Sequence, residues 1–122
     1  MNELVIALGV AVGGGLGAAT RYLIDLSIPD RVRARFPWGV MLINLSGSFA
    51  LGLLTGAALD APIVATISIG FLGGYTTFST ASLDTVQLLR RKRTAAALLN
   101  GIGMLVAAVA LAALGIAWGS SL

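Results

Sequence analysis

The sequence predicts an all-α membrane protein in a single domain, 1–122, with four transmembrane helices of which the third is broken. Three observations carry that reading. Of the 122 residues, 57% are hydrophobic and only 11% charged, and the mean hydropathy is +0.95, a balance that suits a chain solvated by lipid. Four apolar stretches, about 4–26, 40–59, 63–83 and 95–118, approach the ~20 residues a helix needs to cross a bilayer. Inside the third lies Gly70-Phe71-Leu72-Gly73-Gly74-Tyr75-Thr76-Thr77-Phe78-Ser79-Thr80, a run that a continuous helix would not choose. Broken backbone survives in hydrocarbon only where protein buries it or where it lines a polar cavity, so the run points to an ion or solute site.

In the first stretch Gly9, Gly13 and Gly17 recur every four residues and lead to Arg21 on the same face. That spacing lets two backbones touch in lipid and predicts close helix packing. The cluster Gly13-Gly14-Gly15-Leu16-Gly17 lacks the preceding strand and the Gly-Lys of a phosphate loop. Arg21 lies about 9 Å along the helix from mid-span, within reach of the interface by snorkelling; an intramembrane Arg is equally a candidate to hold a neighbouring helix or to attract an anion. No basic segment precedes this stretch, which opens Met1-Asn2-Glu3, so no cleaved signal peptide is expected.

The second stretch sets Asn44, Ser48, Gly52 and Gly56 at intervals of four, with Gly47 and Thr55 beside them. One face is therefore small and hydrogen-bonding. A carboxamide in lipid needs a partner; bonding to a neighbouring helix is one reading of Asn44, and a pathway shared with the broken third span is the other. In the third stretch Gly73 and Gly74 make unwinding easy, and Thr76, Thr77, Ser79 and Thr80 bring hydroxyls. A helix that stops and restarts offers N–H groups to an anion and carbonyls to a cation. The fourth stretch is apolar and rich in small residues.

Three connectors join the spans: 27–37, with Pro29 and Pro37; Asp60-Ala61-Pro62, a tight link; and 84–93, ending Arg90-Arg91-Lys92-Arg93. Trp38 and Trp118 fall at span ends, where an indole straddles the interface. The first and third connectors carry seven basic residues (Arg31, Arg33, Arg35, Arg90, Arg91, Lys92 and Arg93), and the opposite side of the membrane carries none. The positive-inside rule then puts connectors 27–37 and 84–93 in the cytoplasm and both termini outside a multi-pass cell (inner or plasma) membrane protein. The isoelectric point near 10.2 reflects this topology signal and predicts no nucleic-acid partner. Without cysteine or histidine there is no thiolate and no imidazole, which points away from an enzyme.

Gly17-Ala18-Ala19-Thr20-Arg21-Tyr22, Asn44-Leu45-Ser46-Gly47-Ser48-Phe49 with Gly52, and above all the run 70–80 resemble the Fluc/CrcB family of small fluoride channels. The resemblance implies passive export of fluoride from the cytoplasm, and hence fluoride resistance, by an antiparallel dimer in the bilayer. Its two pores lie at the subunit interface, with a structural sodium ion at the dimer centre held by backbone carbonyls. On this resemblance Gly73 and Thr76 fall on the sodium positions, Asn44 on the pore amide and Phe78 on the first of two pore phenylalanines. The hydroxyls of Thr77, Ser79 and Thr80 are further candidate pore donors. Such donors, and the positive rim of an aromatic ring, are what a small, strongly hydrated anion needs in place of water. Asp84 stands near the end of the motif, where an acidic residue is common, at an expected helix end.

The chain departs from the family pattern in three places. Ala81 replaces the second phenylalanine, and Asn100 and Met104 stand where a pore-facing Tyr and a Ser are often found. The third departure is charge: the seven-to-none bias predicts one fixed orientation and hence an oppositely oriented paralogue as partner, with a homodimer as the other arrangement. Two more readings follow, a non-conducting or one-pore partner subunit of a heterodimeric channel, and a small four-helix multidrug exchanger. The exchanger needs a buried carboxylate, and Glu3, Asp25, Asp30, Asp60 and Asp84 all fall near span ends. A non-transporting scaffold would explain the glycine stripes but not the run 70–80.

Overall fold

The computed structural model describes residues 2–122, and every regular element among them is helical. In chain order these are α1 (Glu3–Ser27), α2 (Asp30–Arg35), α3 (Trp38–Ala57), α4 (Pro62–Tyr75), α5 (Phe78–Arg90), α6 (Thr94–Leu98) and α7 (Met104–Gly119). A wide π turn, Leu99–Gly103, joins α6 to α7. Four rods are long and apolar enough to cross a membrane: Glu3–Ser27, Trp38–Ala57, Pro62–Arg90 and Thr94–Gly119. Each contains one of the four predicted stretches, apart from the last two residues of 40–59. The second rod stops early because Ala58 turns left-handed, φ 49°, and Pro62 then opens α4 at a position where its missing N–H is not needed.

Glycine decides which rods touch. A Cβ on Gly13 or Gly17 of α1 would strike the backbone of Ile67, Phe71 or Tyr75 in α4, and one on Gly70 or Gly74 would strike Val10 or Gly14 in return. The same reciprocity joins α3 to α7, where Gly52 and Gly56 meet Ala112 and Ile116 while Gly115 and Gly119 meet Phe49 and Leu53. In both pairs residue numbers rise together along the contact, so each pair is parallel. Because α1 and α3 are joined by a short connector, the two pairs run in opposite senses. The stripe at Gly9, Gly13 and Gly17 thus does what its spacing predicts.

The largest buried cluster gathers Phe36, Val40, Met41, Leu88, Ala97 and Met104 where α2, α3, α5 and the fourth rod converge. Elsewhere Ile43 and Leu72 are also buried, while many other Leu, Ile and Val side chains face outward on every rod, as lipid permits.

The connectors are more helical than expected. Connector 27–37 contains α2, and 84–93 is not a connector over its first seven residues, because α5 continues to Arg90. Asp84 therefore lies mid-helix rather than at a helix end. No Gly or Pro interrupts 78–90, and charge alone does not stop a helix. The stop comes at Lys92, whose positive φ of 59° lets Lys92 N donate to Leu89 O at 3.0 Å and Arg93 N to Leu88 O at 2.9 Å, a Schellman closure of the last carbonyls.

Candidate functional site

Between α4 and α5 the chain runs extended for two residues, Thr76 (φ −80°, ψ 157°) and Thr77 (φ −148°, ψ 119°). A continuing helix would direct the Thr77 N–H to the Gly73 carbonyl. Instead it donates to Asn44 Oδ1 of α3 at 2.8 Å, and Asn44 Nδ2 donates to the Thr77 carbonyl at 2.9 Å. One buried carboxamide thus satisfies both backbone groups of Thr77, which is buried as well. The other Nδ2 hydrogen rests on Met104 Sδ at 3.3 Å, a weak acceptor.

The restart is capped locally. Thr77 Oγ1 accepts the Thr80 N–H at 3.2 Å and donates to Thr80 Oγ1 at 3.2 Å, leaving the Phe78 and Ser79 N–H groups open at the start of α5. Before the break, Thr76 Oγ1 donates to Leu72 O at 2.9 Å and Thr76 N to the same carbonyl at 3.0 Å. Carbonyls thus end one helix and amide hydrogens begin the next, so opposite partial charges meet within a few residues.

Beside the break is a groove of about 500 Å³. Its walls are α3 through Asn44 and Ser48, the break through Gly73, Thr76, Thr77 and Phe78, α5 through Ala81 and Thr85, and the fourth rod through Asn100 and Met104. The groove therefore unites five of the sequence-selected residues: Asn44, Gly73, Thr76, Thr77 and Phe78. Phe78 is 87% exposed, its ring standing clear of its own chain at the groove edge.

The other selected residues lie elsewhere. Ser79 is exposed and Thr80 half-buried, and neither lines the groove. Arg21 is half-buried on α1 and, among the described residues, lies within ion-pair distance of no carboxylate. Asp84 faces a polar pocket of about 50 Å³ with Arg33, Gln87 and Arg91.

Two groove residues received less notice from the sequence than the structure gives them. Ser48 sits one turn after Asn44, and among the described residues nothing engages its hydroxyl; that interval of four was the legible signal. Asn100, 1% exposed, lies in the π turn and donates to Thr85 Oγ1 at 2.9 Å and Ala81 O at 3.3 Å, while its Oδ1 has no partner among the described residues. Ala81, in place of a large ring, leaves the groove wide at that level.

The sequence that builds this site matches a family of known sequences. The family described as CrcB-like protein, Camphor Resistance (CrcB), matches residues 8–116. This chain belongs to the CrcB family. Similar members include fluoride-specific ion channel FluC 1 of Leifsonia xyli subsp. xyli, 45% identical over 120 residues, 95% of this chain and 87% of that protein. FluC 2 of Mycobacterium tuberculosis strain H37Rv is 38% identical, covering 92% of this chain and 89% of the relative. FluC of Rhizobium meliloti is 36% identical, covering 100% and 96%. These CrcB relatives are named as channels, not enzymes, and the match runs through all four apolar rods, which makes the chain a multi-pass membrane protein.

Proposed function

We propose that this chain is a subunit of a fluoride-selective channel that lowers cytoplasmic fluoride by passive export. The observation that carries the reading is the groove at the break of the third rod, where Phe78 projects beside an amide-clamped backbone in a chain of the CrcB family. Fluoride leaves water only where hydrogen-bond donors replace its shell. The groove supplies the Ser48 hydroxyl, and the Asn44 hydrogen that rests on a thioether turns to an anion at little loss. The open N–H groups of Phe78 and Ser79 at the start of α5 favour negative charge nearby, and the rim of the Phe78 ring adds a weak positive edge without a hydrogen bond.

The working unit is an antiparallel dimer. A single chain leaves Phe78 uncovered and the groove open on one side, and a Cβ on Gly73 would meet nothing within 4 Å. Neither its own chain nor a positive φ requires glycine there, whereas close approach of a second subunit does. The carbonyls of Gly73 and Thr76 suit a structural sodium ion at the dimer centre. The Gly73 carbonyl has lost its helical donor to Asn44, and neutral carbonyl dipoles are the ligands a hard monovalent cation takes. Such an ion supplies positive charge that offsets anions in the two flanking pores.

The basic connectors face the cytoplasm and both termini face outward, which for a chain this biased makes an oppositely inserted paralogue the natural partner. The test is fluoride-electrode efflux from proteoliposomes holding this chain alone and with that paralogue. Fluoride-selective efflux in either preparation is expected, and fluoride-tight vesicles in both would end the reading.

A further inference from the structure

We infer that the basic end of the bundle binds the phosphate headgroup of an anionic lipid, between the end of α2 and the turn from α5 into α6. Two basic segments far apart in sequence are locked together there. Arg91 Nη1 donates to Ala34 O at 3.0 Å and Arg93 Nη1 donates to Arg35 O, so two arginines close the last carbonyls of α2. The left-handed turn at Lys92 permits both contacts.

Positive charge is thereby pooled in excess of the acids at this end. Asp25 and Asp30 are both engaged by Arg33, at 3.6 and 2.8 Å, and Asp84, which lines the small pocket with Arg33 and Arg91, is within ion-pair distance of neither among the described residues. Among the described residues no other basic side chain lies within ion-pair distance of a carboxylate. Arg35, Arg91 and Arg93 are all exposed. A guanidinium that gives one N–H to a carbonyl retains four more, in the fork that matches phosphate oxygens.

The depth of the cluster identifies the source of the phosphate. The rods entering this end are apolar enough to cross a membrane, and Trp38, half-exposed and 4.7 Å from the Phe36 ring centroid, opens α3 beside α2 as an interfacial anchor. Arginines at the height of an interfacial tryptophan meet lipid headgroups first, and basic residues clustered beside membrane spans bind anionic lipid. A topology signal requires only that basic residues share a side; it does not require two segments to be bonded into one cluster. The inference needs the chain to be membrane-embedded and is independent of what the groove carries.

The test is native mass spectrometry of the purified full chain offered phosphatidylglycerol or phosphatidylcholine. Retention of phosphatidylglycerol over phosphatidylcholine is expected. Arg35→Gln removes one charge from the cluster and keeps the backbone carbonyl that Arg93 uses, so it should weaken phosphatidylglycerol retention about fivefold with an unchanged melting temperature. Arg31→Gln, outside the clamp, should leave retention near the wild-type level. Equal loss from both variants would mean diffuse surface charge and overturn the site, as would no loss from Arg35→Gln. Competition by millimolar inorganic phosphate strong enough to displace the lipid would overturn the assignment to a lipid.

Discussion

Asn44 of α3 and Thr77, at the break between α4 and α5, form a two-bond ring in which the carboxamide accepts the Thr77 N–H at 2.8 Å and donates to its carbonyl at 2.9 Å. The side chain takes the place that a neighbouring helical turn would fill, so the interruption of the third rod is held open by the second. Replacing Asn44 with Leu would orphan two buried backbone groups, at about 1–3 kcal/mol each. Asn44→Asp keeps the acceptor but sets a carboxylate against the Thr77 carbonyl, and should destabilise at least as much. Thermal melts in detergent should show a clear drop for both variants, and fluoride efflux should fall with them. A wild-type melting temperature for Asn44→Leu would mean that the ring does not hold the break.

Phe78 allows function to be separated from fold. With 87% of its surface exposed, its side chain contributes little to the packing of its own chain, and surface substitutions of that kind change stability by within about 0.5 kcal/mol. Phe78→Ile should melt like the wild type while fluoride efflux falls by at least an order of magnitude, since an aliphatic side chain has no positive rim to offer an anion. Unchanged efflux from a variant confirmed to be folded would remove the ring from the pathway.

The two buried asparagines should respond unequally. Asn100 Oδ1 has no partner among the described residues, and the acceptors that Asn100 serves have another use or another donor: Thr85 Oγ1 itself donates to Ala81 O at 2.9 Å. Asn100→Leu thus removes an unsatisfied acceptor and orphans no backbone group. The expected stability change is within about 1 kcal/mol of zero, against a loss of several at Asn44. Parallel melts of the two Leu variants make the comparison, and equal losses would refute it.

These asparagines also mark what sequence could and could not reveal. Asn44 was legible because a lone carboxamide in an apolar stretch needs a partner, and Ser48, Gly52 and Gly56 continued its face at the helical interval. Gly13 and Gly17 were legible for the same reason of spacing. Asn100 stood out only as a departure from the family pattern: a π turn in Leu99–Gly103 depends on what α5 presents across the contact, and no local signal in Asn-Gly-Ile-Gly encodes Thr85 and Ala81. Asp84 misled because charge was read as a helix end, whereas α5 ends where Lys92 adopts a left-handed turn. Ser79 and Thr80 share a motif with Phe78, yet a helix points successive side chains in different directions, and only Thr77 and Phe78 of that quartet reach the groove.

Adjacent glycines at the break provide the last test. Gly74 packs against Gly14 so closely that a Cβ would strike its backbone, while a Cβ on Gly73 would meet nothing within 4 Å. Within the single chain, Gly74→Ala should push α4 off α1 and lower the melting temperature. Gly73→Ala should leave it unchanged or raise it, since alanine in a helix is favoured over glycine by about 0.5–1 kcal/mol. If a second subunit and a sodium ion close over Gly73, the added methyl obstructs them, and Gly73→Ala should impair dimer formation in lipid and fluoride efflux despite a sound fold. Size-exclusion of the reconstituted dimer and electrode efflux read this directly. A Gly73→Ala protein that pairs and conducts like the wild type would show that nothing approaches the face left open at residue 73.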